Sequence, residues 1–383
     1  MSAARFPLGL AQGLSFCNRI KERGHLMANI ATLQPTLIMS PRRYGKTSLA
    51  LKVLNDSKVP YTHIDLFSET DERDFEYSLL NGIGELITQL AGKPRAALNL
   101  AYDFFADLHI KVNIEKLGFS IQVDPKRGKP VHTILKSLEK LDKLAKKKKQ
   151  PVILFIDEFQ KISDISSVST LEGALRHVAQ QSENIMFLFS GSNRHLLQKI
   201  FDDSTRPFYN LCDQIILQRI SEKDYLHYIQ KLSIKKWGDK LKKNIVLAIL
   251  RCTCRHSYYV NLLCSRVWRC EKMPTVKVIE NLWGEYVHEQ KSRVASEVDL
   301  LSANQRRLMF MLARHGAQKE IMGTDFSNMS GLSVASIRQA INVLLKKDYV
   351  YQDSEGYYHI LDPLFEAGII LIAAAIRMFI GPV

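Results

Sequence analysis

The sequence predicts an α/β domain on a parallel sheet, followed by a helical segment and a winged helix-turn-helix. Three observations predict this. Short, continuous apolar runs alternate with helical periodicities, the pattern of βαβ units. Polar, chemistry-bearing residues gather where those runs end, as they do at the carboxyl edge of a parallel sheet. Near the C-terminus, amphipathic helices lead into a β-hairpin. The 383 residues, 46% hydrophobic and 24% charged, suffice for two or three domains with their own cores and exclude a disordered chain. No apolar run reaches the roughly 18 residues of a membrane span, and the first ten residues make a poor signal peptide. Six unevenly spaced cysteines exclude a disulfide framework, so a reducing, cytoplasmic home is expected.

The elements follow in order. Pro35–Ser40 is a short apolar strand, with a helical pattern from Lys46. Pro60–Phe67 alternates and is β-rich. Pro151–Asp157 and Ile185–Ser190 are continuous apolar runs, as strands buried on both faces should be, and Gln214–Leu217 is a fifth strand. Helices are expected at Asp74–Leu90 and Ser167–Gln181, and residues 93–133, with the turn-rich Asp124–Pro130, read as an insertion. Residues 1–217 then form the core. Residues 218–297 read as a helical lid, with helices at Ser221–Leu232, Leu241–Cys252, Tyr259–Cys270 and Val276–Lys291. Residues 298–366 read as the winged helix: Asn304–His315, Asp325–Met329, a helix capped by Ser333 and running to Lys347, and a wing at Tyr349–Ile360. Residues 367–383 form an apolar tail, too short to span a bilayer, expected to dock on the body or on a helical partner.

Charge is uneven. The chain holds 53 Lys+Arg against 39 Asp+Glu, a formal +14. Residues 1–215 carry net +6, residues 216–297 net +8 and residues 298–383 net zero. The excess points to a polyanionic partner. Lys231, Lys235, Lys236, Lys240, Lys242 and Lys243 surround Trp237; they read as solvated helix faces or as a nucleic-acid patch. The winged helix suggests DNA by fold, but its neutral charge and the acids Asp353 and Glu355 argue against strong phosphate contact. A protein partner is as open as DNA. Lys146–Lys149 reads as a solvated helix end in preference to a phosphate-contacting patch, and Cys252 and Cys254 as buried helix cysteines rather than metal ligands.

The chemistry begins after the first strand. Ser40-Pro41-Arg42-Arg43-Tyr44-Gly45-Lys46-Thr47, with Ser48 behind it, has the form G-x-x-x-x-G-K-[ST] with Ser in place of the first Gly. Gly45 lets backbone N–H groups turn toward phosphates, and the helix N-terminus adds its dipole. Lys46 reaches the β- and γ-phosphates of ATP, and Thr47 ligates Mg²⁺. Ser40 stands at a position whose conformation Gly usually tolerates best. The strand Val152–Ile156 ends in Asp157, which holds Mg²⁺, and Glu158, the general base for an attacking water. Loop and acidic strand together identify an ATPase. At the end of the next strand, Ser192, Asn193 and Arg194 are candidate γ-phosphate sensors, against the reading of a small polar turn. Arg206, ahead of Pro207, Phe208 and Tyr209, is either a transition-state cation or an exposed Arg on a packing turn.

By these motifs the sequence resembles prokaryotic AAA+, STAND-like P-loop ATPases, close to the archaeal ATPase family, with a C-terminal winged helix. Phe16-Cys17-Asn18-Arg19-Ile20-Lys21-Glu22 is similar to that family's F-x-G-R-x-x-E segment. Pro41–Leu49, Leu154–Gln160, Gly191–Leu197 and Arg206–Tyr209 match its phosphate loop, acidic strand, sensor and arginine region, and Arg255–Leu263 its lid segment G-H-P-Y-Y. The resemblance implies that Arg19 runs beside the nucleotide base and that His256 lies near the nucleotide. It implies a nucleotide-dependent switch with ATP and Mg²⁺ as ligands. The alternative is an ATP-dependent DNA-binding or regulatory protein with slow turnover or none. Oligomeric state is left open.

Overall fold

The computed structural model describes residues 5–108, 110–115, 118–122, 129–165, 170–353 and 355–380, with backbone alone at 14, 111–120 and 375–380. The chain divides into two compact units: Arg19–Gln218, and Met1–Asn18 together with Arg219–Val383.

The first unit is built on β1 (Thr36–Met39), β2 (Tyr61–Asp65), β5 (Val152–Asp157), β6 (Ile185–Gly191) and β7 (Asp213–Ile216), in the order β2-β5-β6-β1-β7. Every pairing is parallel, which requires helical crossovers. β5 and β6 are buried at every residue, while β2 alternates, so the continuous apolar runs are central strands and the alternating one lies at the edge. β6 sits between β5 and β1, with Ile38 beside Ser190 and Met39 beside Gly191. The carboxyl ends of β1, β6 and β5 therefore lie side by side.

Flanking helices complete the core. The helix Glu72–Ala91 starts at Asp71, whose carboxylate accepts from the Arg73 and Asp74 amides, and stops at Gly92 in the left-handed region. The 93–133 insertion contributes the helix Pro94–Ala106 and the antiparallel hairpin β3 (Lys111–Glu115) and β4 (Gly118–Gln122). Phe104, Phe105, Ile110 and Ile121 join the main core. The expected turn at 124–128 lies outside the described residues, as do 167–169 of the helix expected from Ser167; the helix is described over Thr170–Gln181. Lys146–Lys149 ends the helix Pro130–Lys148 in solvent.

The second unit gathers the N-terminal residues with the chain from Arg219 onward. Residues 5–17 do not join the sheet. Phe6 is buried against Trp268 (4.6 Å between rings) and Tyr228 (6.0 Å), and Asn261 donates to the Pro7 carbonyl at 2.9 Å. The helix expected over Val276–Lys291 runs over Val276–Glu289, and a further helix, Lys291–Asp299, follows it. The winged helix comprises Ala303–His315, Thr324–Ser330 and Val334–Lys346, with a wing of β8 (Val350–Gln352) and β9 (Tyr358–Ile360). A boundary at 366 would cut the helix Pro363–Ile380. Leu364, Phe365 and Ile369 of that helix are buried in one core with the lid helices and winged helix. Its Gly368 abuts Val294, where a Cβ would stand 2.8 Å from Cγ2. The tail's start thus belongs to the core because its apolar face has a partner helix. Among the described residues, no helix is long and apolar enough to cross a membrane.

Candidate functional site

The loop after β1 turns into a helix at a glycine. Gly45 adopts φ 90° and stands as the N-cap of the helix Lys46–Ser57. A helix N-terminus carries the positive end of the helix dipole toward the loop. The position that Gly was expected to serve differs: Ser40 is absent from the positive-φ residues, and the strained non-glycine position of the loop is Arg43 at φ 64°. Ser40 is fully buried, and its Oγ donates to the Pro41 carbonyl at 3.1 Å. A side chain at Ser40 therefore imposes no left-handed strain. The Lys46 ammonium spans the loop from within, donating to the carbonyls of Ser40 (3.3 Å) and Pro41 (3.4 Å). Arg42 and Arg43 are exposed, while Tyr44 and Ser48 are buried.

Arg19 ties this loop down. Its guanidinium, 6% exposed, donates to the Tyr44 carbonyl at 3.1 Å, the Gln218 carbonyl at 2.6 Å and Glu22 at 2.9 Å. The residue expected beside the base thus clamps the phosphate loop to the segment after β7.

Asp157 is the electrostatic centre. Its Oδ2 accepts from Thr47 Oγ1 at 2.6 Å, and its Oδ1 from Ser190 Oγ and from the Glu158 amide at 2.9 Å. His63, stacked on Phe155 with ring centroids 4.5 Å apart, places Nε2 3.7 Å from Oδ2. Burial would push the carboxyl up, but the nearby His63 and hydrogen bonds from Ser190, Thr47 and the Glu158 amide overcome it and hold the pKa down to about 2. A hydroxyl beside an ionised carboxylate is a hard-oxygen pair that fits Mg²⁺.

Glu158 takes a left-handed backbone, φ 53°, which turns its side chain away from the strand line. Its Oε2 accepts from Ser192 Oγ at 2.7 Å and from Gln160 Nε2. Phe159 anchors this turn, packing on Phe189 (4.4 Å) and Phe208 (5.2 Å). Glu158 and Ser192 thus meet, as do Thr47 and Asp157, and Lys46 closes the loop beside them.

The remaining expected residues are placed differently. Arg194 begins the helix Arg194–Phe201, and its buried Nε has no hydrogen-bond partner. Arg206 is committed elsewhere: its Nε and NH2 donate to the buried Glu172 carboxylate, and NH2 also to Ser163 Oγ at 3.1 Å. It is neither an exposed Arg on a turn nor a cation directed at phosphate in this conformation. Desolvation pushes Glu172 up despite Arg206. His256 belongs to the second unit, preceding the helix Ser257–Val267 with its ring 5.1 Å from Tyr259. Burial raises the Cys254 thiol to about 11. Sequence reasoning missed Ser190, His63, Gln160 and Glu172. A polar residue inside an apolar strand marks Ser190, and alternation marks His63, but Glu172 carries no sequence signal.

Two family models match the chain. Residues 36–206 match the ATPase family associated with various cellular activities (AAA), and residues 295–369 a probable winged helix domain. Among solved structures, the Walker-type ATPase PABY2304 of Pyrococcus abyssi is 16% identical with a TM-score of 0.66, covering 96% of this chain and 99% of that one. The Aeropyrum pernix ORC2 protein, in ADPNP–ADP complexes, is 11% identical with a TM-score of 0.54, covering 95% and 96%. At these identities the likeness is one of fold. No curated protein matches the chain.

Proposed function

We propose that this chain, whose residues 36–206 form an AAA-family ATPase domain and whose residues 295–369 form a winged helix, hydrolyses ATP and works as a nucleotide-dependent switch. The observation that carries the reading is the meeting of Lys46, Thr47, Asp157, Glu158 and Ser192 at the adjoining ends of β1, β5 and β6. The loop amides and Lys46 bind the β- and γ-phosphates; Lys46 exchanges its carbonyl partners for phosphate oxygens. Thr47 and Asp157 would hold Mg²⁺, which neutralises phosphate charge when bound. Glu158 takes the proton of the attacking water, and Ser192, next to it, reads the γ-phosphate. Arg194, with its unpartnered Nε, is a second γ-phosphate contact. Arg206 serves the transition state, in its own copy or a neighbouring one, after release from Glu172.

The test is ATP hydrolysis and ATP binding by the wild type, Lys46→Ala and Glu158→Gln. Loss of the base should lower kcat by about 10²–10⁴ and leave ATP bound; Lys46→Ala should lose binding. A wild type that neither binds nor hydrolyses ATP overturns the reading.

A second reading, ATP-dependent DNA binding with slow turnover, is favoured by one observation. Lys231, Lys235, Lys236, Lys240, Lys242 and Lys243 are all exposed, on and beside the helix Glu222–Trp237. Hydrolysis measured with and without duplex DNA separates the two.

A further inference from the structure

We infer that Gln160 is a positioning residue for hydrolysis: its carboxamide holds the Glu158 carboxylate, and Gly191 is glycine to admit it. The inference rests on the reading of Glu158 as the general base. Three features carry it. Gln160 Nε2 donates to Glu158 Oε2, the same oxygen that Ser192 Oγ reaches at 2.7 Å, and Nε2 also lies 3.5 Å from Ser192 Oγ. One carboxylate oxygen is therefore gripped from two strands' ends, and the other is left for a water. Second, Gln160 is 6% exposed, and its Oε1 is buried without a hydrogen-bond partner. A residue selected for packing alone would not bury an unmatched acceptor, since an apolar side chain of that shape fills the space without one. Third, a Cβ on Gly191 would overlap Gln160 Oε1 and come within 2.9 Å of Leu197 Cδ1. Gly191 has no positive φ, so its lack of a side chain serves space and not backbone conformation.

A general base acts only when its lone pair is aimed at the proton it takes. Glu158 sits on a turn, and its side chain has rotatable bonds whose freedom is costly to fix. Two donors converging on Oε2 remove that freedom before substrate arrives, and the Phe159 ring packed among Phe189 and Phe208 keeps Gln160 in register with the turn.

The experiment compares wild type, Gln160→Met, Gly191→Ala and the double variant in the full chain, by steady-state ATP hydrolysis and thermal unfolding. Gln160→Met keeps the volume and removes both the donor and the unmatched acceptor. It should leave the Tm unchanged or higher and KM for ATP within about two-fold, while kcat falls by about ten- to a hundred-fold. Gly191→Ala, which displaces the carboxamide, should lower kcat similarly, and the double variant should fall no further than Gln160→Met. An unchanged kcat in Gln160→Met, or a fall matched by loss of fold or of ATP affinity, overturns the inference. An additive double variant overturns the role given to Gly191. Glu158→Gln in the same assay separates the two levels. If it abolishes hydrolysis while Gln160→Met does not lower kcat, the general base stands and the positioning role falls. A wild type without hydrolysis removes both.

Discussion

Replacing Arg206 by Ala isolates the ion pair on which the arginine turn depends. In the wild type the guanidinium is 17% exposed and the Glu172 carboxylate 1%. They share two contacts, and Ser163 Oγ takes a third. Removing the cation leaves a buried carboxylate without a counter-charge, a change that costs about 3–5 kcal/mol. For a unit of this size, that is a fall in Tm of roughly 6–20 °C. The pH dependence has a defined sign. Burial already holds Glu172 above its ordinary value with Arg206 present. Without Arg206, the opposing attraction is gone and the carboxyl rises further. A raised acid destabilises the fold most where it is charged, so the variant's deficit should grow from pH 5 to pH 8 and shrink as Glu172 gains its proton. Urea unfolding followed by circular dichroism at both pH values measures this. Adding Glu172→Leu to Arg206→Ala should recover most of the loss, since a buried pair replaced by apolar groups is often neutral or stabilising. A deficit under about 1 kcal/mol at pH 8, or a double variant as unstable as the single one, refutes the reasoning.

Three further outcomes are expected. Asp157 is held near pKa 2 against an ordinary 3.8, so it contributes about 2 kcal/mol of stability above pH 4 that disappears as pH falls toward 2; urea midpoints of wild type and Asp157→Asn should converge over that range, and parallel curves would count against it. Gly368→Ala drives a Cβ into Val294 and should destabilise the second unit by about 1–3 kcal/mol in thermal unfolding, a neutral result meaning that the helices separate freely. Changing Lys235, Lys236, Lys242 and Lys243 to Ala should alter stability by less than about 0.5 kcal/mol; under the DNA reading it should lower the salt slope of duplex binding by up to about 3–4, and an unchanged slope excludes the patch.

Much of this molecule was legible before folding, because some of its constraints are local. The apolar runs at 152–156 and 185–189 announce central strands, since a strand covered on both faces has no polar side to show. Gly45-Lys46-Thr47 and Asp157-Glu158 stand out in the sequence because residue type and spacing at the end of an apolar run are local features. The helices expected after 218 and the wing at 350–360 are likewise written in short-range periodicity. Boundaries were less legible. Gln290 breaks an otherwise continuous helical pattern, and Phe6 packs on Tyr228 and Trp268, which lie more than two hundred residues away.

What the sequence by itself determined is therefore the inventory: a phosphate loop, an acidic strand, a basic helical segment and a neutral winged helix, each set by neighbours along the chain. What only the tertiary structure decided is how that inventory pairs. Placing β6 between β1 and β5 brings Ser190 to Asp157 and Ser192 to Glu158, turns Gln160 toward Gly191, and gives Arg206 to Glu172. Strand order is a non-local property, fixed by which faces can be buried together, and no spacing of residues along a single chain specifies it.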